Sequence, residues 1–237
     1  MSRIRDDSRI DIRESSMRHL QNLYSTTVGI GLSVGLLRLL QIWTEDTISV
    51  QSRLTNSLLF GAMLITLVPF YHGGLVHLDV TYIKKDSAGH GKNGAHLFAF
   101  VILFLESCLL VTSAFLSCYQ KITPFAVMLA ILLVVDVLWA LATHLWLGTA
   151  NDKQKIGLRW ALINFVSLMV VTPMLFVTNH YAVPDLWFAS GLLAGSLIRT
   201  CCDYKFCWEF YYPPDKETDK QRESARQPRI EKPGVAA

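Results

Sequence analysis

The chain has 237 residues, of which 51% are hydrophobic and only 17% are charged, and its mean hydropathy is +0.33. Because soluble domains carry about 25% charged residues, these values exclude a disordered chain, a collagen-like chain and a soluble globular enzyme. The net charge of +3 is not arranged as a basic stripe with interleaved aromatic residues, so nucleic-acid binding is not expected. The composition predicts an integral membrane protein.

Residues 1–24 are predicted to be a polar N-terminal segment with five arginines. This segment has no apolar core, so we expect no cleavable signal peptide. Residues 25–200 are predicted to form an all-α transmembrane domain without a large soluble domain. Residues 201–237 are predicted to form a cytoplasmic tail that is mostly disordered because it is polar and mixed in charge.

Six apolar stretches come close to the roughly 20 residues that a membrane-spanning helix needs. Their predicted bounds are 25–43, 55–76, 96–118, 124–147, 158–178 and 184–200. The first and the sixth stretch are short and each contains an arginine. A four-span variant, in which these two stretches form interfacial helices, is therefore the alternative.

The lysine and arginine content of successive segments predicts the orientation of the chain. The N-terminal segment has five, the five connections have one, three, one, two and none, and the tail has seven. Cytoplasmic segments are enriched in these residues, so the alternation predicts that both termini are cytoplasmic. Together with the lack of a signal peptide, this pattern fits a bacterial inner membrane.

Two pairs of glycines in the terminal spans predict close helix contacts. Span one contains Gly31 and Gly35, and span six contains Gly191 and Gly195. This four-residue spacing lets helix backbones approach each other closely in a membrane. The glycines either pack spans one and six together or mediate contact between subunits, and we expect a homo-oligomer.

A polar cluster is predicted at the cytoplasmic ends of spans two, four and six. Span two ends in the sequence YHGGLVHLD, which is the densest group of polar residues within the spans. The topology brings the ends of spans four and six to the same depth. The predicted cluster consists of His72, His77, Asp79, His144, Arg199 and Asp203.

The histidines of this cluster allow a catalytic interpretation. Imidazoles and a carboxylate are ligands that suit zinc, and His72, His77, Asp79 and His144 are the candidates. Such a metal could activate water in an intramembrane hydrolase or transferase. Two histidines could instead bind a haem iron. No HExxH or HxxxH motif is present, so the cofactor stays open. The simpler interpretation is a set of interfacial residues that pair with each other and with lipid headgroups.

Two acidic residues lie near the middle of predicted spans, where an ionisable side chain is costly and suggests a function. Glu106 is in span three and Asp136 is in span four. These spans are antiparallel neighbours, so the acids are predicted at similar depth. If they face each other, one should carry a proton, which would suit proton transfer or cation passage. Alternatively, each is neutral and bonded to a neighbour such as Ser107, Thr112 or Asn164.

The leading functional hypothesis is a self-associating membrane protein within the lipid bilayer. It would act as an ion-conducting or membrane-perturbing component, or as a membrane platform for a cytoplasmic protein partner. The alternative is the intramembrane metal-dependent hydrolase or transferase at the inner leaflet. The first hypothesis depends on the glycines and the two buried acids, whereas the second depends on the histidines.

Reporter fusions test the predicted topology. Fusions after residues 50, 90, 121, 153 and 181 should alternate between the two sides of the membrane, because each lies in a successive connection. A fusion at residue 237 should be cytoplasmic. An external location for that fusion would contradict the predicted even number of spans.

Overall fold

The computed structural model describes residues 2–79, 95–119, 122–146, 154–181 and 183–212, and the regular structure in these ranges is entirely helical. The predicted disordered residues after Tyr212 lie outside the described ranges. The helices of the described part are α1 (Ser2–Thr44), α2 (Val50–Leu78), α3 (Ala95–Ser117), α4 (Ile122–Trp146), α5 (Gln154–Tyr181), α6 (Asp185–Phe206) and α7 (Trp208–Tyr211).

Five helices in these ranges are long and apolar enough to cross a membrane, namely α1 from Ser15 onward and α2 to α5. They correspond to the first five predicted spans, which supports an all-helical membrane protein. The sixth predicted span forms α6, a helix of 22 residues that is not among these five. Its second half carries charged side chains, including Arg199 and Asp203, which reduce its apolar character.

The order of the helices around the bundle differs from their order in the chain. Neighbouring helices follow the sequence α1, α3, α4, α5, α6 and α2, and α2 closes the ring against α1 while also contacting α3. Helix α2 is the most enclosed, because 56% of its most apolar window is buried, compared with 17% for α5. Helices α2 to α6 therefore surround a common interior.

Helix α1 packs against the bundle well before the predicted start of span one at residue 25. Met17, Leu20, Tyr24 and Val28 are buried, and their spacing of three or four residues places them on one helix face. The Tyr24 ring stacks on Tyr71 of α2 with the ring centroids 5.5 Å apart. The predicted boundary between N-terminal segment and span thus falls inside one continuous helix.

The glycines of α1 are used for packing within the chain. A Cβ atom at Gly31 would lie 2.5 Å from Val111 Cγ2 of α3, and one at Gly35 would lie 2.7 Å from Phe60 Cε2 of α2. Only glycine allows such approach without displacing the neighbour. The close partners of this pair are thus α3 and α2, rather than α6.

The two glycines of α6 have different surroundings. A Cβ atom at Gly191 would lie 2.7 Å from Met174 Cε of α5, whereas one at Gly195 would have no neighbour within 4 Å. Gly191 therefore also packs within the chain. Gly195 lies beside open space, so a side chain could be added there without a clash.

Helix α2 continues without a break through Pro69 and the Gly73–Gly74 pair. Proline removes the backbone donor that would bond the carbonyl four residues earlier, which here is the carbonyl of Ile65. The Thr200 hydroxyl of α6 donates to that carbonyl over 3.0 Å. A neighbouring helix therefore satisfies the freed acceptor, as membrane helices require, and the same bond fixes α6 against α2.

The role of Gly31 is testable with a matched pair of alanine variants. Gly31→Ala should destabilise the protein by about 1–3 kcal/mol, because the new methyl group overlaps Val111. Gly29→Ala is the control, since a Cβ atom at Gly29 has nothing within 4 Å. The control should be neutral or stabilising by up to about 1 kcal/mol through helix propensity. Thermal unfolding in detergent measures both, and equal midpoints would contradict the close α1–α3 packing.

Candidate functional site

A network of buried polar side chains connects four helices in the interior of the bundle. Asp136 of α4 accepts a hydrogen bond from the Asn164 side chain of α5, and Arg199 Nε of α6 donates to Asn164 Oδ1 over 2.8 Å. The carboxyl group of Glu106 of α3 lies close to that of Asp136. All four residues are buried, with Glu106 only 1% exposed.

This network lies about midway along the helices. We call the end of the bundle where α7 lies the α7 end. Glu106, Asp136 and Asn164 are each about ten residues from that end of their own helices, which corresponds to about 15 Å. This distance is about half the thickness of the hydrocarbon core of a bilayer, which is about 30 Å. Two of these three residues are the acids that the sequence predicted at similar depth.

A second polar group lies one helical turn from Arg199, toward the α7 end. The Tyr211 hydroxyl of α7 donates to Asp203 Oδ2 of α6 over 2.6 Å. Trp160 and Cys207 also lie beside the Asp203 carboxyl group. Cys207 follows α6, and burial raises the pKa of its thiol to about 12. The thiol therefore stays protonated at neutral pH and can act as a weak donor toward the carboxylate.

Gly73 of α2 lets the aromatic residues reach this position. A Cβ atom at Gly73 would lie 2.7 Å from Trp160 Cζ2 and 3.3 Å from the Tyr211 hydroxyl oxygen. A larger residue would displace the indole ring or the phenol. Gly73 thus serves close packing around Asp203, whereas Gly74 packs against Leu103.

A small cavity of about 10 Å³ joins the two polar groups, which is space for about one water molecule. Asp136, Trp139, Asn164, Arg199 and Asp203 contribute to its wall. Within the described part of the chain, Arg199 Nη1, Trp139 Nε1 and Asp203 Oδ1 are buried and make no hydrogen bond. The wall thus offers two donors and one acceptor, a combination that can hold a water molecule.

The structure divides the predicted cluster of six residues. Arg199 and Asp203 belong to the interior site. His72 instead bonds Tyr204, with His72 Nδ1 3.0 Å from the hydroxyl oxygen, and its ring lies 4.7 Å from that of Tyr211. His72 therefore lies beside the site and contacts it through Tyr211.

The remaining predicted members lie outside the hydrogen-bonded network, although His77 contacts Trp139 of the cavity wall. The His77 ring packs edge-on against Trp139 at 4.9 Å. Asp79 ends α2, and its backbone N–H bonds the carbonyls of the preceding turn. His144 lies in the last turn of α4 and close to Gly157 of α5.

The described residues include no group of three or more His, Cys, Asp or Glu side chains arranged to hold a metal ion. His72 faces tyrosine rings and His77 faces an indole ring, so neither is directed toward a shared ligand. The metal set of His72, His77, Asp79 and His144 thus has no support from the geometry. The polar site is instead made from acids, an amide and a guanidinium.

Several residues of the site were not singled out from the sequence. Asn164 was noted only as an alternative partner of the acids, although it is the central link between Asp136 and Arg199. A polar amide in an otherwise apolar stretch is the signal that marks it. Tyr211 had no such signal, because it lies in a polar, aromatic segment that was assigned to the tail. The alternative partners Ser107 and Thr112 bond their own helix backbone instead.

No family model matches this chain, and no curated protein and no solved structure matches it either.

Two adjacent tyrosines test the bond to Asp203. Tyr211→Phe should lower the free energy of unfolding by about 1–3 kcal/mol, because a buried carboxyl oxygen loses its donor. Tyr212→Phe is the matched control, since Tyr212 is 50% exposed and should be nearly silent. Thermal unfolding in detergent compares the two. A similar midpoint for both variants would show that the bond contributes nothing to stability.

Proposed function

We propose that this integral membrane protein binds and transfers a proton within its helical bundle, as an ion-conducting component of the membrane. The observation that supports this proposal most strongly is the proximity of the buried acids Glu106 and Asp136, the second of which is linked through Asn164 to Arg199. The proposal includes six membrane spans with both termini and the α7 end in the cytoplasm.

The charge balance of the interior favours a bound proton. Three carboxyl groups, those of Glu106, Asp136 and Asp203, surround the guanidinium of Arg199. If all were ionised, negative charge would exceed positive charge in a low-dielectric interior. Two carboxylates at this range also repel each other, and they can bond each other only if one is protonated. A proton shared by Glu106 and Asp136 removes the repulsion between these two groups and reduces the excess of negative charge around Arg199.

The site extends toward one face of the bundle. From Asp136 and Arg199, the small cavity leads to Asp203, and Tyr211 bonds Asp203 from the α7 end. These groups offer a route along which a proton could move between the middle of the bundle and the α7 face. On the side of Arg199 that faces away from the α7 end, the Thr66 hydroxyl of α2 donates to the Ser196 hydroxyl of α6 over 3.1 Å. Ser196 lies about one helical turn from Arg199.

A sixth span is proposed because α6 runs alongside α2. Gly61 lies beside Leu193, and Phe70 lies beside Arg199, so residue numbers rise together and the helices are parallel. Helix α2 is itself a candidate span, and α6 runs alongside it in the same direction. Twenty-two residues give a length of about 33 Å, enough for the hydrocarbon core. With six spans, the lysine and arginine counts orient both termini to the cytoplasm.

The other parts of the leading hypothesis stay predictions. Gly31, Gly35 and Gly191 pack within the chain, so they offer no support for self-association. A cytoplasmic protein partner and a bacterial inner membrane likewise depend on the sequence pattern alone. The proposal therefore concerns the interior of a single chain.

Proton flux into vesicles tests the proposal. The purified protein, reconstituted with a trapped pH-sensitive dye, should acidify or alkalise the lumen when a potassium diffusion potential is imposed with valinomycin. Glu106→Gln and Asp136→Asn should each lower the initial rate by about tenfold or more, because a relay loses a proton-carrying group. Both amides preserve shape and hydrogen-bonding capacity, so the protein should still fold.

Glu45→Gln is the matched control, because Glu45 lies in the exposed connection after α1 and should leave the rate unchanged. Unfolding midpoints for all variants separate loss of flux from loss of fold. A wild-type rate no higher than that of protein-free vesicles would contradict proton conduction. Full rates in both amide variants would contradict the role of the acid pair.

A further inference from the structure

An apolar groove of about 420 Å³ lies between α5 and α6, separate from the small polar cavity. Its floor includes Leu133 of α4 and Leu192 of α6, and Leu162 and Val166 of α5 form one rim. Ile198 of α6 forms part of the opposite side. Leu162 and Ile198 are 62% and 65% exposed, so the groove opens to the surroundings of the bundle, which in a membrane are lipid.

The shape of the groove fits one type of occupant. Its wall extends along α5 from Arg159 to Met174, which corresponds to about 22 Å. The volume of 420 Å³ over that length gives a mean cross-section of about 20 Å², whereas a helix is about 10 Å wide with an area of about 80 Å². A row of methylene groups in contact with its neighbours at about 4 Å fits that width. A whole helix is too wide to enter the groove.

The charge at one end of the groove indicates what is attached to the hydrocarbon chain. Arg159 lies at the α7 end of the wall and is exposed. Its Nη1 atom donates to the Phe206 carbonyl over 2.9 Å, which holds the guanidinium at the mouth. A guanidinium has five N–H donors and matches phosphate geometry. The remaining donors can therefore bind a phosphate at the level of the headgroups.

We propose that this groove binds one acyl chain of an anionic phospholipid, with the lipid phosphate at Arg159. Cross-section, apolar lining and a cation at one end together match a lipid whose chain enters the bilayer from the α7 end. The bound chain would cover the groove side of Arg199 and Ser196, both of which contribute to the wall. The lipid would thereby separate the polar interior from the surrounding bilayer.

Gly195 provides a way to fill the groove without disturbing the fold. It contributes to the groove wall, and a Cβ atom there would have no neighbour within 4 Å. Gly195→Phe should therefore occupy the space of the acyl chain. Gly29→Phe is the matched control, because Gly29 also has nothing within 4 Å but lies on α1, away from the groove.

Photo-crosslinking tests the proposal with the whole protein in phosphatidylcholine vesicles that contain a minor fraction of phosphatidylglycerol with a diazirine in its acyl chain. Wild-type protein and Gly29→Phe should label at the α5 and α6 residues of the groove. Gly195→Phe should lose that labelling by about fivefold or more. Arg159→Gln should lower the preference for phosphatidylglycerol over a phosphatidylcholine probe by about fivefold, the effect of one cation near the membrane surface.

Three outcomes would overturn the proposal. Labelling spread evenly over all lipid-facing helices would indicate ordinary surrounding lipid. Unchanged groove labelling in Gly195→Phe, with an unfolding midpoint equal to wild type, would show that the chain binds elsewhere. A wild-type dimer that becomes monomeric in Gly195→Phe, without groove labelling, would identify a second copy as the occupant.

Discussion

The arrangement of this bundle depends on one constraint, the burial of Arg199 in an apolar interior. Burying a charged side chain in apolar surroundings is costly, and the lower scales give on the order of 3 kcal/mol for the centre of a membrane helix. The cost is offset when neighbours supply acceptors and opposite charge. Asn164 accepts its Nε–H, the Phe70 ring lies 4.5 Å from the guanidinium carbon, and acids approach from α3, α4 and α6. Each contributing helix must therefore turn a particular face inward.

Small residues and proline make that arrangement sterically accessible. Gly73 admits Trp160 and Tyr211 next to Asp203, and the carbonyl that Pro69 frees binds Thr200, one residue from Arg199. The contacts that hold α6 against α2 are thus the same contacts that set the depth of its guanidinium. Packing and electrostatics are coupled here. Displacing α6 would break the bond to Asn164 and would leave the acids in an apolar interior without the compensating positive charge of Arg199.

Much of this fold was predictable from hydrophobic length. Five apolar stretches and their approximate bounds follow from the span of a bilayer, and the depth of Glu106 and Asp136 follows from the antiparallel order of α3 and α4. The neighbour relationships were not predictable in this way, since Gly31 and Gly35 fit any close partner and only three-dimensional packing selects α3 and α2. The surroundings of the histidines were not predictable for a related reason. Position along a helix sets depth, but the face on which His72 or His77 lies depends on how α2 rotates against α6 and α4.

The most direct test of the account is whether a protonated carboxyl group exists in the folded protein at neutral pH. Infrared spectroscopy in lipid measures its carbonyl stretch, which is separate from the bands of ionised carboxylates. The account predicts this band in the wild-type protein, its loss in both Glu106→Gln and Asp136→Asn, and its retention in Glu45→Gln. A wild-type spectrum without the band, or a band that survives both amide substitutions, would contradict a proton shared by the two acids.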